Sequence, residues 1–473
     1  MSEPGFRIDY QRFNPWWETS DIARELGVET FRRSDHPYKL TNAKQHRYFG
    51  IAGAAGSGQT ELLLGLAAEL VEEGVTTPRD VLYLPLGAPQ FRIGRSLIED
   101  AVSEFATYTR PTTNTDGYIL LDDVHACADW AEQVERILMQ YDDLSVIATV
   151  PSEAIALPDR INELDFPSTQ DVTLPAKFYD YAQKTFNAAS DTKSLPIAKD
   201  DTYPVRDEIA RAARTGDTDE LLEALRTVQE PVAAHNVEQR LQRLAMSYVT
   251  MSSRNRSPLE VAHDTELTIY RDVPRIERIE TLDDLHALVA LASENVGIRH
   301  EFTDLGDILE CDPRTVRKYV EVLGDLFLVT PSYQYDYSRR RSVKLWLRDP
   351  LLLAELTDID LELPLSREAE QLLIPTVVFD HLRRLIFYYN NDTETVAYDE
   401  RGSEPIEYVI EGDAGTPIPI TLSLNRQHHP EAAIQSFCNR YDAETGLVVG
   451  RRRDIGVTEN AVSVPLWLFL ACC

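Results

Sequence analysis

The chain has 473 residues, of which 43% are hydrophobic, and carries a formal net charge of −31 with a pI of about 4.7. The hydrophobic fraction excludes a disordered chain, because disorder requires low hydrophobicity together with high net charge. No apolar run is long enough to span a bilayer, and the length suits about three domains.

The acidic residues are spread along the chain, and lysine is scarce beside arginine. This describes a solvated acidic surface suited to concentrated salt. Nucleic-acid contact then requires a local basic patch, since the overall field opposes it. Cys127, Cys311, Cys438, Cys472 and Cys473 form no C-x-x-C pair or Cys/His cluster with metal-ligand spacing. Reduced thiols in a cytoplasm are expected, and the first residues lack the apolar core of a signal peptide.

Residues 1–47 read as an N-terminal extension. Its cluster Phe13-Asn-Pro-Trp-Trp-Glu18 is expected to anchor on a domain surface. The stretch from Tyr48 reads as a short strand, followed by a glycine-rich turn from Gly53 to Thr60 and a helix from Glu61 to Glu72 with Leu62, Leu63, Leu66 and Leu70 at helical spacing. The turn matches the phosphate-binding pattern G-x-x-x-x-G-K-[ST] except at Gln59, which stands where lysine is expected. Gly53, Gly56, Ser57, Gly58, Gln59 and Thr60 are therefore the candidate nucleotide-binding residues. Glycines let backbone N–H groups turn inward, and the helix N-terminus favours an anion. Thr60 can offer its hydroxyl to magnesium. The other reading is a strand-to-helix turn that is merely rich in glycine.

Further strands are expected at Val81 to Leu86, Gly117 to Val124 and Leu144 to Val150, with helices at Phe91 to Thr109 and Trp130 to Gln140. The strands are nearly continuous in apolar character, as in a parallel sheet buried on both faces. Alternating strands and helices give an open α/β sheet, with its chemistry at the carboxyl ends of the strands. Asp122 and Asp123 end one strand there. Two acids one βαβ unit after a phosphate loop form a second nucleotide motif: Asp122 would hold magnesium and Asp123 would orient an attacking water. Thr149 sits where a sensor of the outer phosphate would lie, or it caps the next turn.

Residues 151–190 are expected to leave the sheet. Here the order of features resembles the archaeal and bacterial AAA-type ATPases that carry a winged helix and a restriction-nuclease-like module. The resemblance rests on the Asn-Pro-Trp-Trp lead-in, the phosphate loop, the acidic strand end followed by Trp130, Thr149-Val-Pro-Ser152, Asp159-Arg160 and Leu174-Pro-Ala-Lys-Phe-Tyr-Asp-Tyr181. It implies that Arg160 is a candidate to meet an outer phosphate, its own or a neighbour's; a plain surface arginine is the other reading.

Residues 191–279 are polar and helical, as in a lid that follows an ATPase core. Residues 280–350 read as a winged helix: three helices, the third N-capped by Asp312 and begun by Pro313, then two β runs. Arg314, Arg317 and Lys318 lie on the third helix, and Arg339, Arg340 and Arg341 on the wing. Two basic clusters on one small module of an acidic chain point to DNA; docking of a protein is the alternative. Residues 351–473 are a last α/β unit, ending in an apolar strand over Val464–Cys473. The resemblance makes it nuclease-like, but Thr421 and Ser423 stand where a glutamate and a lysine are expected beside Glu407, so it is read as a scaffold.

The expected fold is thus an α/β, AAA-type P-loop NTPase parallel-sheet core (48–190) with a helical lid, a winged helix and a degenerate nuclease-like α/β module. The expected function is binding of ATP with Mg2+, with weak or no hydrolysis, coupled to a winged helix that contacts DNA or a protein. Oligomers are compatible with this reading. The alternative is a non-catalytic regulatory or interaction protein with a relic nucleotide site.

Overall fold

The computed structural model describes residues 10–19, 21–22, 37–92, 97–110, 115–188, 194–251, 256–336, 340–389, 395–402, 404–412, 415–424, 430–451 and 454–473. The chain divides into two compact units. One comprises residues 1–175, 264–282 and 325–327; the other comprises 176–263, 283–324 and 328–473.

The first unit is built on strands β1 (Tyr48–Gly53), β2 (Val81–Pro85), β3 (Gly117–Asp122), β4 (Leu144–Val150) and β5 (Ser168–Thr173). They form one sheet in the order β2-β3-β4-β1-β5, with every pair parallel. Successive side chains of a strand point to opposite faces, so β3 sends Tyr118 and Leu120 into one core and Ile119 and Leu121 into the other. Helices α1 (Pro37–Gln45) and α2 (Gln59–Glu72) cover the first face. Helices α3 (Leu97–Glu104) and α4 (Trp130–Gln140) cover the second.

Strand β5 corrects the expectation that residues after 151 leave the sheet. It pairs with β1 from Ser168 to Thr173. Its sequence, Ser-Thr-Gln-Asp-Val-Thr, has no apolar face because it is an edge strand and mostly half-exposed. Lys39 on α1 pins it: the ammonium lies 2.8 Å from Asp171 and donates to the Val172 carbonyl at 2.9 Å. Burial lowers the Lys39 pKa, and Asp171 opposes that shift.

The opposite edge, β2, is covered by the aromatic lead-in. Asn14 is fully buried and acts as a backbone surrogate: its amide oxygen accepts from Tyr83 N at 2.7 Å and its nitrogen donates to Tyr83 O at 3.1 Å. Trp16 and Trp17 both donate their indole N–H to the Val81 carbonyl. The anchor expected from the sequence is therefore a clasp on an edge whose backbone groups would otherwise stand unpaired.

The second unit holds helices α5 (Phe178–Ala188), α6 (Tyr203–Thr215), α7 (Asp219–Ala234) and α8 (Glu238–Val249). Helices α9 (Leu282–Glu294), α10 (Phe302–Ile308) and α11 (Pro313–Asp325) follow, and a three-stranded antiparallel sheet in the order β6-β8-β7 joins them. These strands are β6 (Arg299–Glu301), β7 (Val329–Ser332) and β8 (Ser342–Leu347). The expected cap is present, since Asp312 accepts from Arg314 N at 2.8 Å and Pro313 opens α11.

Beyond α12 (Pro350–Thr357) and the long α13 (Arg367–Tyr389) lies a mixed six-stranded sheet, ordered β13-β14-β12-β11-β10-β9. Its strands are β9 (Ala397–Asp399), β10 (Ile406–Glu411), β11 (Pro417–Ser423), β12 (Gly446–Gly450), β13 (Gly456–Val457) and β14 (Ala461–Pro465), with α14 (Pro430–Cys438) between β11 and β12. The final strand expected over Val464–Cys473 is corrected. Strand β14 stops at Pro465, and Leu466–Cys472 is helix α15, buried at every position. It packs against α5, α6, α7 and α8. A helix that is apolar all round belongs in a core, and a continuous apolar run carries no period to separate helix from strand.

Candidate functional site

Strand β1 ends at Gly53, and the chain turns through residues 54–58 into α2. Gly56 and Gly58 have φ of 76° and 99°, a left-handed backbone that side chains disfavour. Gly53 is required for a different reason. A Cβ there would lie 2.5 Å from Ser57 Oγ, 3.0 Å from Thr173 O and 3.2 Å from Gln59 Cδ. The loop therefore closes tightly over its own strand, and the amides of the first helical turn have no intrahelical acceptor. Ser57 Oγ is buried with no hydrogen-bond partner. Buried polar atoms are rarely left so, and a hydroxyl orphaned beside a helix N-terminus fits an anion such as a phosphate.

Gln59 does not extend from the loop. Its amide nitrogen donates to Ile51 O on β1 at 2.9 Å and to Val150 O on β4 at 2.6 Å. The primary amide has two N–H groups, and both are occupied. Gln59 straps two strand ends together, and its remaining polar atom is a carbonyl oxygen, an acceptor.

Three hydroxyls converge on Asp122, which is 6% exposed. Thr60 and Tyr83 donate to its Oδ2, each at 2.9 Å, and Thr149 donates to Oδ1 at 2.6 Å. The fold thus brings together Thr60, Asp122 and Thr149, which lie far apart in sequence. Thr60 and Asp122 are the right oxygen donors, in adjacent positions, for a magnesium ion. Tyr83 was not expected. In the sequence it is one of several apolar-patterned residues of β2, and only its place beside β3 points its hydroxyl at the acid.

Thr149 also accepts from Asp123 N at 2.9 Å, and Asp123 adopts a φ of 57°. Its carboxylate is folded toward Gly87, where a Cβ would lie 2.6 Å from Oδ2. Burial and then the neighbouring Asp122 push the Asp123 pKa up, while His125 and Arg271 oppose the shift. His125 and Arg271 belong to a second buried group. His125 Nε2 lies 3.1 Å from Asp272 Oδ1, and Arg271 forks onto the same carboxylate at 2.7 and 2.8 Å. Burial raises the Asp272 pKa, but hydrogen bonds from His125 and Arg271 outweigh it and hold the carboxyl below its ordinary value.

Arg160 is held on α4, where it pairs with Glu135 at 2.6 Å and Glu132 at 3.1 Å on the protein surface. It is not among the groups that meet at Asp122.

In the second unit, Arg314 and Lys318 are exposed on α11. The guanidinium of Arg317 lies 3.9 Å over the Phe302 ring, and that of Arg340 lies 4.6 Å over Tyr333. Arg341 is exposed, and its carbonyl accepts from Phe302 N. Arg339 lies outside the described residues. The exposed stripe of α11 continues from Arg314 and Lys318 to Glu321 and Asp325, so it is basic in its first half and acidic in its second. On the six-stranded sheet, Thr421 on β11 donates its hydroxyl to Glu407 on β10. Glu370 on α13 is paired with Arg451. Among the described residues no group of three or more His, Cys, Asp or Glu side chains is placed to hold a metal ion.

Residues 45–175 match the model of a family described as AAA domain, and residues 245–363 match a domain of unknown function, DUF8612. No curated protein matches the chain. Among solved structures, the Orc1 protein of Aeropyrum pernix in complex with DNA is similar at 15% identity over 70% of this chain and 94% of that one, with a TM-score of 0.29. AMPPCP-bound DnaA from Aquifex aeolicus is similar at 13% identity over 64% and 92%, with a TM-score of 0.21. The E. coli MS115-1 HORMA:CdnC:Trip13 complex is similar at 13% identity over 44% and 74%, with a TM-score of 0.25. The family match and the five-stranded parallel sheet with its glycine loop agree that residues 45–175 are an AAA-type P-loop core.

Proposed function

We propose that the P-loop core holds ATP with Mg2+ and hydrolyses it weakly or not at all, as one arm of a protein that also engages DNA. The observation that carries this is the pairing of Thr60 with Asp122 beside a loop whose buried Ser57 hydroxyl has no partner. The loop amides and Ser57 would hold phosphate oxygens, and Thr60 and Asp122 would hold the metal. Bound magnesium would neutralise charge on the phosphates. Asp123 would orient water, but it is one methylene shorter than the usual glutamate and is turned toward Gly87. Gln59 brings no charge to the outer phosphates, so transition-state charge lacks its usual stabiliser.

Titration of the full chain with a fluorescent ATP analogue, with and without magnesium, tests the reading. Magnesium-dependent binding that is lost in Thr60→Ala and accompanied by negligible phosphate release is expected. Absence of binding sinks it in favour of the relic-site alternative, which the strap made by Gln59 favours.

The second arm is residues 280–350, read as a winged helix in which Arg314, Lys318 and Arg317 on α11, with Arg340 and Arg341, face DNA phosphates. The acidic second half of the α11 stripe supports docking of a protein instead. The six-stranded sheet is read as a scaffold, because the Thr421 hydroxyl and Arg451 engage the acids Glu407 and Glu370.

A further inference from the structure

Taking the reading of Thr60 and Asp122 as metal ligands as its basis, we infer that the N-terminal clasp belongs to that site: Tyr83, fixed by Asn14, orients Asp122 for a divalent cation. The contacts are continuous within the first unit. The Tyr83 hydroxyl donates to Asp122 Oδ2 at 2.9 Å, the oxygen that also accepts from Thr60, and Thr149 donates to Oδ1 at 2.6 Å. A carboxylate has roughly four acceptor positions, so donors from three elements leave it little freedom to turn. The Thr60 hydroxyl gives its proton to Asp122 and keeps its own lone pairs for a cation. Carboxylates that hold metals depend on hydrogen bonds of this kind for their orientation.

Tyr83 needs support of its own. It lies on β2, the edge strand of the sheet, where β3 pairs with one side only. Asn14, fully buried, serves the other side: it accepts from Tyr83 N at 2.7 Å and donates to Tyr83 O at 3.1 Å. These two bonds fix the backbone of this one residue as a paired strand would. The Tyr83 ring packs against the apolar core that α2 shares with the sheet, and its hydroxyl reaches the carboxyl end of β3. Trp16 and Trp17 grip the same edge two residues earlier, at the Val81 carbonyl. Their bonds hold the edge, whereas those of Asn14 hold the residue that reaches the acid. Asn14 is thus a positioning residue that acts on Asp122 through Tyr83, and the lead-in that clasps the sheet also sets its metal-holding carboxylate.

The test is titration of the full chain with a fluorescent ATP analogue, with and without magnesium, in the natural protein and in Tyr83→Phe, Asn14→Ala and Trp17→Phe. The readout is the factor by which magnesium tightens binding, which a general loss of stability does not move. In Tyr83→Phe that factor is expected to fall toward one, by up to about tenfold, as for other groups that orient a metal ligand. Asn14→Ala is expected to lower it in the same direction. The double variant is expected to lose less than the two single losses combined, because both act through one hydroxyl. Trp17→Phe removes an indole donor from the same clasp and is expected to lower the Tm while leaving the magnesium factor as it is. An unchanged factor in Tyr83→Phe overturns the inference and leaves the nucleotide reading standing. An equal fall in Trp17→Phe also overturns it, since the clasp then acts by general loosening. No binding by the natural protein, or binding indifferent to magnesium, sinks the reading on which the inference rests and the inference with it. Where Asn14→Ala folds poorly, Asn14→Asp, which keeps the acceptor for Tyr83 N and loses the donor, takes its place.

Discussion

Asp122 shows how much one carboxylate can gather. Thr60, Tyr83 and Thr149 reach it from α2, β2 and β4, so it ties three elements together at the mouth of the loop. Hydrogen bonds to an ionised group are stronger than neutral ones. Tyr83 is itself held in place by the Asn14 clasp on its backbone. Burial, and then the charge of Asp122, pushes the Tyr83 pKa well above its ordinary value, so the phenol is a donor at any working pH. Tyr83→Phe removes that donor and changes little else. Urea denaturation of the variant is expected to show a loss of about 1–2 kcal/mol. An unchanged midpoint and slope would mean the hydroxyl contributes nothing to holding the acid.

At the scale of elements, the α10–α11 pair with its three-stranded sheet places its arginines by stacking. Arg317 lies on Phe302 and Arg340 on Tyr333. Such stacking holds the side-chain stems while leaving the charge available to an anion. On the DNA reading, Arg340→Ala with Arg341→Ala is expected to weaken binding to any duplex. The salt dependence should flatten by about one unit in the log–log slope for each phosphate that is no longer neutralised. A slope that stays as steep moves the assignment to a docked protein, as the acidic residues Glu321 and Asp325 on the same stripe suggest.

At the scale of the whole molecule, a net charge of −31 surrounds two units that each carry a sheet of five or more strands. On the nuclease-like reading of the second sheet, Thr421, which donates to Glu407, stands where a second acid would be needed to hold a divalent ion. The full chain is therefore expected not to cut plasmid DNA with magnesium or manganese. Metal-dependent cutting that disappears in Glu407→Ala would overturn the scaffold reading.

What could be read from the sequence alone was whatever neighbouring residues decide together. The turn at Gly53 to Thr60, the helix over Trp130–Gln140, strands β1 and β4, and the Asp312 cap depend on residues a few positions apart, and local sterics and periodicity settle them. What lay beyond reach depends on partners distant in the chain. The donors of Gln59 find Val150 at a separation of 91 residues, and Tyr83 finds Asp122 at 39. Strand β5 pairs by backbone hydrogen bonds, which polar Ser-Thr-Gln-Asp can make as well as any sequence, so no side-chain pattern marks it. Helix α15 is apolar on all sides, and only the surrounding helices decide that this run coils and does not extend. Residue types and their spacing determined that a phosphate loop lacks its lysine. The packing of β1 against β4 decided what Gln59 does there, because a side chain's hydrogen bonds go to whichever carbonyls the sheet brings within reach.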